Sequence, residues 1–281
     1  MLRDDFQLML FRLLPKKTVS RLIGGFAKSP LSKPLVPGFA RRYGIDLGQA
    51  ELDIRAYPSL TAFFVRKLRP GLRPVAPGED VFVSPVDGVV SQAGSIRDGL
   101  LIQAKGINYS VLELLGQDEE MAERFQSGTY LTIYLSPRDY HRIHAPIEGR
   151  VVGSTFVPGT LFPVNPFGVR AVKGLFARNE RLVTYLDTPA GLLALVKVGA
   201  IIVGSVNVNY AGITAGGRRR KLERALYAQG PVLAKGDELG RFEFGSTVIM
   251  LFEIPVELEV QPGDRVLMGQ AVGRWPADAR K

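Results

Sequence analysis

The chain has 281 residues, 46% hydrophobic and 22% charged, enough for one large core or two smaller ones. It has no cysteine, which excludes disulfides and thiolate chemistry. It has only two histidines, His141 and His144, and no residue cluster completes a metal site around them. The net charge of +9 lies wholly in the first quarter: residues 1–74 hold 14 Lys+Arg against 5 Asp+Glu, and the rest hold 22 of each.

A basic segment suits nucleic acid or an anionic membrane, and its apolar pattern decides between them. Residues 2–14 place Leu2, Phe6, Met9, Leu10, Leu13 and Leu14 near the spacing of an amphipathic helix flanked by Arg3, Arg12, Lys16 and Lys17. The stretch is too short and too charged to span a bilayer. Asp4, Asp5 and the lack of a small-residue cleavage site argue against a signal peptide. A second helical pattern carries Val19, Leu22, Ile23 and Phe26, and a third covers Phe39, Tyr43 and Ile45. Basic residues interleaved with Leu and Met, rather than with stacking aromatics, point to a membrane surface and away from nucleic acid. The alternative is a helical hairpin packed on its own core.

Residues 58–74, PSLTAFFVRKLRPGLRP, predict one more helix, capped by Ser59, with Phe63, Phe64 and Leu68 inward and Pro70-Gly71 as its stop. This divides the chain into a basic helical region over 1–75 and a β-rich region over 76–281. The fold class expected is α+β: a β-rich, barrel-sandwich-like catalytic domain preceded by an N-terminal helical, membrane-associating region.

Two internal echoes mark the β-rich region. Ser84-Pro-Val-Asp-Gly-Val-Val90 matches Ala145-Pro-Ile-Glu-Gly-Arg-Val151 in type, and Lys235-Gly-Asp-Glu-Leu-Gly240 matches Pro262-Gly-Asp-Arg-Val-Leu-Met-Gly269. Gly-Asp turns before short apolar strands suit a barrel-sandwich, although no carrier lysine occupies the expected turn. Residues 110–125 read as helical, and 129–135 as a strand of β-branched and aromatic residues. That strand runs into Ser136-Pro-Arg-Asp-Tyr-His-Arg-Ile-His-Ala-Pro146, which holds both histidines. Arg138 and Arg142 among them suit an anionic ligand. Residues 158–168, PGTLFPVNPFG, read as a binding loop or lid. Strands follow at 182–186, 192–198 and 200–208, then the basic run Arg218-Arg-Arg-Lys221.

Near the C-terminus, Gly245-Ser246-Thr247 opens an apolar run, Val248 to Phe252, that reads as a buried strand. Asp87, His144 and Ser246 supply an acid, a base and a hydroxyl. A weak hydroxyl becomes a nucleophile when a base takes its proton and a third group orients that base. At the head of a buried strand, the carbonyl nearest to Ser246 is that of Gly245. Two rival readings remain: a serine hydrolase that keeps Ser246 intact, and a noncatalytic barrel-sandwich module held on membranes by its basic arm.

Across nearly its whole length the chain resembles phosphatidylserine decarboxylases of the longer, membrane-associated bacterial and mitochondrial type. The matching segments are Phe63-Phe64-x-Arg66-x-Leu68-x-Pro70-Gly71-x-Arg73-Pro74, Ser84-Pro85-x-Asp87-Gly88, Tyr140-His141-Arg142-x-His144, Pro158-Gly-x-Leu161-Phe162-x-Val164-Asn165-Pro166, Asn179-Glu180-Arg181, Val198-Gly-Ala200 with Val203-Gly-Ser205, and Gly245-Ser246-Thr247. Phe244 and Pro163 depart from the common pattern.

The resemblance implies a proenzyme that cuts itself between Gly245 and Ser246 into a β chain, 1–245, and an α chain, 246–281. In this reading His144, oriented by Asp87, deprotonates Ser246, whose remnant becomes a covalent pyruvoyl group. That group forms a Schiff base with the amine of phosphatidylserine. Carbon dioxide leaves and phosphatidylethanolamine is released, without metal or pyridoxal phosphate. His141 is the candidate for contacting the carboxylate or returning the proton, and Phe162, Asn165 and Arg142 are candidates for holding substrate. The expected location is the cytoplasmic face of the bacterial inner membrane, as a peripheral protein on an anionic surface. A homodimer stays open.

Overall fold

A computed structural model describes residues 16–104, 107–200, 206–210, 214–215, 221–243 and 246–276. The helix expected over 2–14, most of the basic run at 218–221, Val203 to Ser205, and Gly245 lie outside the described residues.

The described residues form a mixed fold of few, short helices and large antiparallel sheets. The main sheet has nine strands. Along its main path the order is Glu223–Leu226, Gly149–Val157, Arg181–Thr188, Gly191–Val198, Thr247–Phe252, Thr129–Tyr134, Gly88–Ser95 and Arg265–Val266; Val232–Leu233 also pairs with Gly149–Val157. The strand Thr247–Phe252 is in the middle. It pairs at six positions with Gly191–Val198 on one side and at six with Thr129–Tyr134 on the other. Every residue of it is buried, because both faces of the sheet are covered. Ile249 and Leu251 enter one core, with Phe64, Tyr130, Phe162 and Phe176. Val248, Met250 and Phe252 enter the other, with Phe82, Ile143, Leu195 and Phe242. An apolar run alternating between two cores explains why this stretch shows no polar face in the sequence.

A second sheet has the order Thr214–Ala215, Val206–Val208, Glu238–Phe242 and Arg142–His144. A third joins Val81–Val83, Ala271–Arg274 and Glu257–Leu258. Both sequence echoes have structural counterparts. In the two Gly-Asp turns, Gly236 and Gly263 take positive φ (92° and 103°), and the Asp side chain accepts from the backbone N–H three residues earlier, Asp237 from Ala234 and Asp264 from Gln261. The two Pro-acid-Gly segments lie side by side. Val83 N–H donates to Pro146 O (2.8 Å) and His144 N–H to Pro85 O (2.9 Å).

The helical arm differs from expectation in its details. Ser59 caps a helix by accepting from Ala62 N–H, and Phe63 and Phe64 are buried, but the helix covers only Leu60–Phe64. The following segment is extended because its backbone pairs with residues 49–51: Glu51 N–H donates to Lys67 O and Arg69 N–H to Gln49 O. Leu68 is half-buried there. The helix Val36–Tyr43 ends at Gly44 in the left-handed region and shares a small core, Val36, Ala40, Ile45, Tyr57 and Phe63, with the Ser59-capped helix. The helix Lys16–Lys28 turns Ser20 and Ala27 inward and leaves Leu22 (70%), Ile23 and Phe26 exposed. Residues 110–125 form two helices, Val111–Leu114 and Glu119–Arg124, separated where Gly116 and Gln117 take positive φ. Among the described residues no helix is long and apolar enough to cross a membrane.

Candidate active site

Ser246 sits at the head of the central strand, fully buried. Its carbonyl accepts from Leu135 N–H (2.8 Å), and its Oγ has no hydrogen-bond partner among the described residues. Ser246 comes four positions after Phe242, the last residue of the second-sheet strand Glu238–Phe242. Phe242 N–H donates to His141 O (2.9 Å), so that strand ends beside the histidine loop.

That loop is shaped by Asp139. Its buried carboxylate accepts from Ser136 N–H and Oγ (2.7 Å each) and from Arg265 (2.7 Å). Its carbonyl accepts from His141 Nδ1 (2.8 Å). A carbonyl only accepts, so the proton is on Nδ1 and the lone pair is on Nε2. That Nε2 is buried without a partner among the described residues, and the ring lies 4.1 Å from the Phe64 ring centroid. Burial pushes His141 down to about 3, and the Arg66 charge pushes in the same direction.

His144 lies on the edge strand Arg142–His144, opposite Glu238. Its Nδ1 donates to Gly236 O (2.7 Å), which leaves Nε2 as the basic nitrogen, and the Tyr140 hydroxyl, 3.2 Å away, donates to it. Burial, then the Arg142 charge, lower its pKa against the opposing Gly236 contact and Glu238 charge. Both imidazoles are therefore neutral bases at pH 7 with Nε2 as the acceptor.

Asp87 follows the buried Ser84-Pro85-Val86 turn. The backbone at Gly88 has room for no side chain, since a Cβ there would lie 2.5 Å from Tyr134 O. The Asp87 carboxylate accepts from Arg73 Nε (2.8 Å) and Nη2 (2.5 Å), and from Met268 N–H (2.9 Å). Asp87 and His144 thus occupy hydrogen-bonded neighbouring segments, but no hydrogen bond joins their side chains, and none joins either to Ser246 Oγ. Arg73 and Tyr140 stand at those positions instead.

The candidate substrate residues have structural partners. Arg142 bonds Glu238 (2.6 and 2.8 Å) and Val65 O. Phe162 is buried, with Arg178 5.4 Å over its ring. Asn179 clamps its backbone, accepting from Phe162 N–H and donating to Phe162 O. Asn165 caps the helix Pro166–Ala171 by accepting from Gly168 N–H. Sequence reasoning gave no role to Arg73, Tyr140 or Asp139, although Arg73 and Tyr140 both fall inside motifs it singled out. Asn179 and Arg181 proved to be scaffold: Arg181 is buried among the carbonyls of Leu114, Ala177 and Asn179.

The segments that carry Ser246 and Asp87 are thus hydrogen-bonded to the two ends of the stretch that carries the neutral imidazoles, Ser246 O through Leu135 N–H and Pro85 O through His144 N–H. A family model described as phosphatidylserine decarboxylase matches residues 60–274. A phosphatidylserine decarboxylase proenzyme from Anaeromyxobacter sp. is 47% identical, over 97% of this chain and 99% of the relative. Proenzymes of the same name from Brevibacillus brevis and Myxococcus xanthus are each 48% identical, over 94% and 90% of this chain and 95% and 91% of the relatives. The chain belongs to the phosphatidylserine decarboxylase family.

Proposed function

We propose that the chain is a proenzyme that cuts itself between Gly245 and Ser246, and that the product decarboxylates phosphatidylserine to phosphatidylethanolamine and carbon dioxide. The observation that carries this reading is the buried, unpartnered Ser246 Oγ at the head of the central strand, beside a loop with two neutral imidazoles. His144 Nε2 takes the Ser246 proton, once Tyr140 yields that position. Ser246 Oγ bonds to the Gly245 carbonyl carbon as the Gly245–Ser246 C–N bond breaks, giving an ester. Loss of the Ser246 α-proton expels the Gly245 carboxylate, and hydrolysis releases ammonia, leaving a pyruvoyl group on residue 246. Asp87 serves His144 through its segment, which the His144 N–H bonds at Pro85 O.

The surroundings of Ser246 fit such a group: a fully buried position between two apolar cores keeps water from a reactive ketone. When formed, the pyruvoyl carbonyl supplies the electron sink for the departing carboxylate. His141, dry and neutral, holds Nε2 as the group that exchanges a proton with substrate. Phe162, Asn165 and Arg142 shape the substrate approach through the loop and strand that they hold.

The membrane reading rests on the helical arm. Leu22, Ile23, Phe26, Leu31 and Leu35 are exposed, with Arg21, Lys28 and Lys33 among them. An apolar stripe set in basic residues suits an anionic bilayer surface, in this reading the cytoplasmic face of the inner membrane. The domain division follows: a basic arm over 1–75 that meets lipid, and a barrel-sandwich-like β domain over 76–281, whose two matching Gly-Asp turns support that description.

The test is release of labelled carbon dioxide from carboxyl-labelled phosphatidylserine by purified protein, with and without prior hydride reduction. Activity lost on reduction in the presence of substrate is expected. Activity with an uncut chain, or none with a cut one, would contradict the reading.

A further inference from the structure

Neither the buried Ser246 nor the imidazoles account for Arg66, the first basic residue of the Phe63-to-Pro74 motif. It follows the helix Leu60–Phe64 and is 5% exposed. Its Nη2 donates to the carbonyls of Arg138 (2.9 Å) and Asp139 (3.4 Å), while Nε and Nη1 are buried with no hydrogen-bond partner among the described residues. Arg66 lines a cavity of about 460 Å³ together with Arg73, Arg138, Arg265, Asp46, Asp87 and Asp139.

The carboxylates of that cavity are committed elsewhere. Arg73 holds Asp87, and Arg265 and Ser136 hold Asp139. Asp46 accepts from Gly48 N–H and Gln49 Nε2. Arg66 therefore has no carboxylate partner, and burial lowers its pKa, the mark of a charge held dry. A guanidinium in this position gains from an oxyanion far more than an exposed one does. Arg138, with its side chain 55% exposed, stands at the rim of the same cavity. The cavity borders the histidine loop. Arg66 Nη2 and His141 Nδ1 donate to the same Asp139 carbonyl, and Asp87 and Tyr140 line the cavity.

We propose that Arg66, with Arg138 at the rim, forms an oxyanion subsite that holds the phosphodiester of the phospholipid headgroup while its amine reaches residue 246. This rests on the decarboxylase reading above. The substrate carries a second oxyanion, its carboxylate, but an arginine on that group stabilises the reactant against loss of carbon dioxide. The phosphodiester keeps its charge throughout the reaction, so an arginine there binds without opposing the chemistry.

The test uses Arg66→Gln, Arg66→Lys and Arg138→Gln in the full chain, with self-cleavage on a denaturing gel as the readout of folding. Steady-state rates are measured on short-chain phosphatidylserine in detergent micelles. A cleaved Arg66→Gln should raise KM roughly ten- to hundred-fold, the span of a charge-assisted contact, with a smaller change in kcat. Arg66→Lys should recover part of the loss, and Arg138→Gln should raise KM less. Glycerophosphoethanolamine should compete in the wild type and lose potency in parallel, whereas L-serine, which has the carboxylate and no phosphate, should not compete. An unchanged KM in cleaved Arg66→Gln overturns the proposal. So does competition by L-serine alone, or by inorganic phosphate alone, which marks an adventitious ion only. If Arg66→Gln fails to cleave, Arg138→Gln decides by the same KM criterion. A wild type that neither cleaves nor releases carbon dioxide contradicts the decarboxylase reading instead.

Discussion

His141 and His144 are two identical side chains three positions apart, given separate environments by their Nδ1 partners. Asp139 O holds one ring in a dry pocket against Phe64, and Gly236 O holds the other on an edge strand under the Tyr140 hydroxyl. From that difference, His144→Ala should remain a single uncut chain, while His141→Ala should cleave but release little carbon dioxide. If both variants stay uncut, or both are fully active, the roles are not divided. Burial of His141 also has a pH signature. Its folded pKa of about 3 lies below the unfolded value near 6.5. A depressed pKa favours the folded protein above the unfolded value, and that contribution is lost as pH falls from 6.5 towards 3. Between pH 7 and pH 5 the loss is about 2 kcal/mol. The urea midpoint of the wild type should therefore drop more over that interval than that of His141→Gln. Equal drops would place the acid sensitivity elsewhere.

The strand Thr247–Phe252 ties maturation to the fold. It is central, pairs at six positions on each side, and would become the first strand of the 246–281 fragment. That fragment also reaches back across the site, where Arg265 bonds Asp139 and Met268 N–H bonds Asp87. After cleavage the two fragments should therefore co-elute from a sizing column in native buffer and separate only in denaturant. Met250→Ala, which empties a fully buried position in this strand, should cost about 2–5 kcal/mol in urea unfolding. A loss under 1 kcal/mol would show that the core collapses around the gap. This strand was legible in the sequence because β-branched and apolar residues run on without a polar break. The Ser59 cap and the strand before the histidines were legible for equally local reasons. The length of the 58–74 helix was not, since its end is set by pairing with residues 49–51. Nor were the partners of Asp87, because Met268 lies 181 positions away and no periodicity encodes that contact. The motifs brought Asp87, His144 and Ser246 together as candidates, but they could not show that Asp87 bonds Arg73 and His144 bonds Tyr140.

At the scale of the molecule, the helical arm is joined to the site. Phe64 packs on His141, Arg73 holds Asp87, and Lys28 pairs with Glu243 (2.5 Å), two positions before Gly245. The same arm presents Leu22, Ile23 and Phe26 outward. Replacing these three with Ser should weaken flotation on anionic vesicles while leaving self-cleavage intact. High salt should weaken wild-type flotation only in part, since it screens the charges and not the apolar contact. Equal flotation of variant and wild type would remove the membrane role from this helix. The central claim is that Ser246 is spent in making the enzyme. Intact-mass spectrometry of the purified, active protein tests it most directly. Two masses are expected: one for residues ending at Gly245, and one for residues 246–281 bearing a pyruvoyl group in place of serine, with Ser246→Ala remaining a single mass. A single mass for the whole chain with serine intact, in a preparation that releases carbon dioxide from phosphatidylserine, would contradict it.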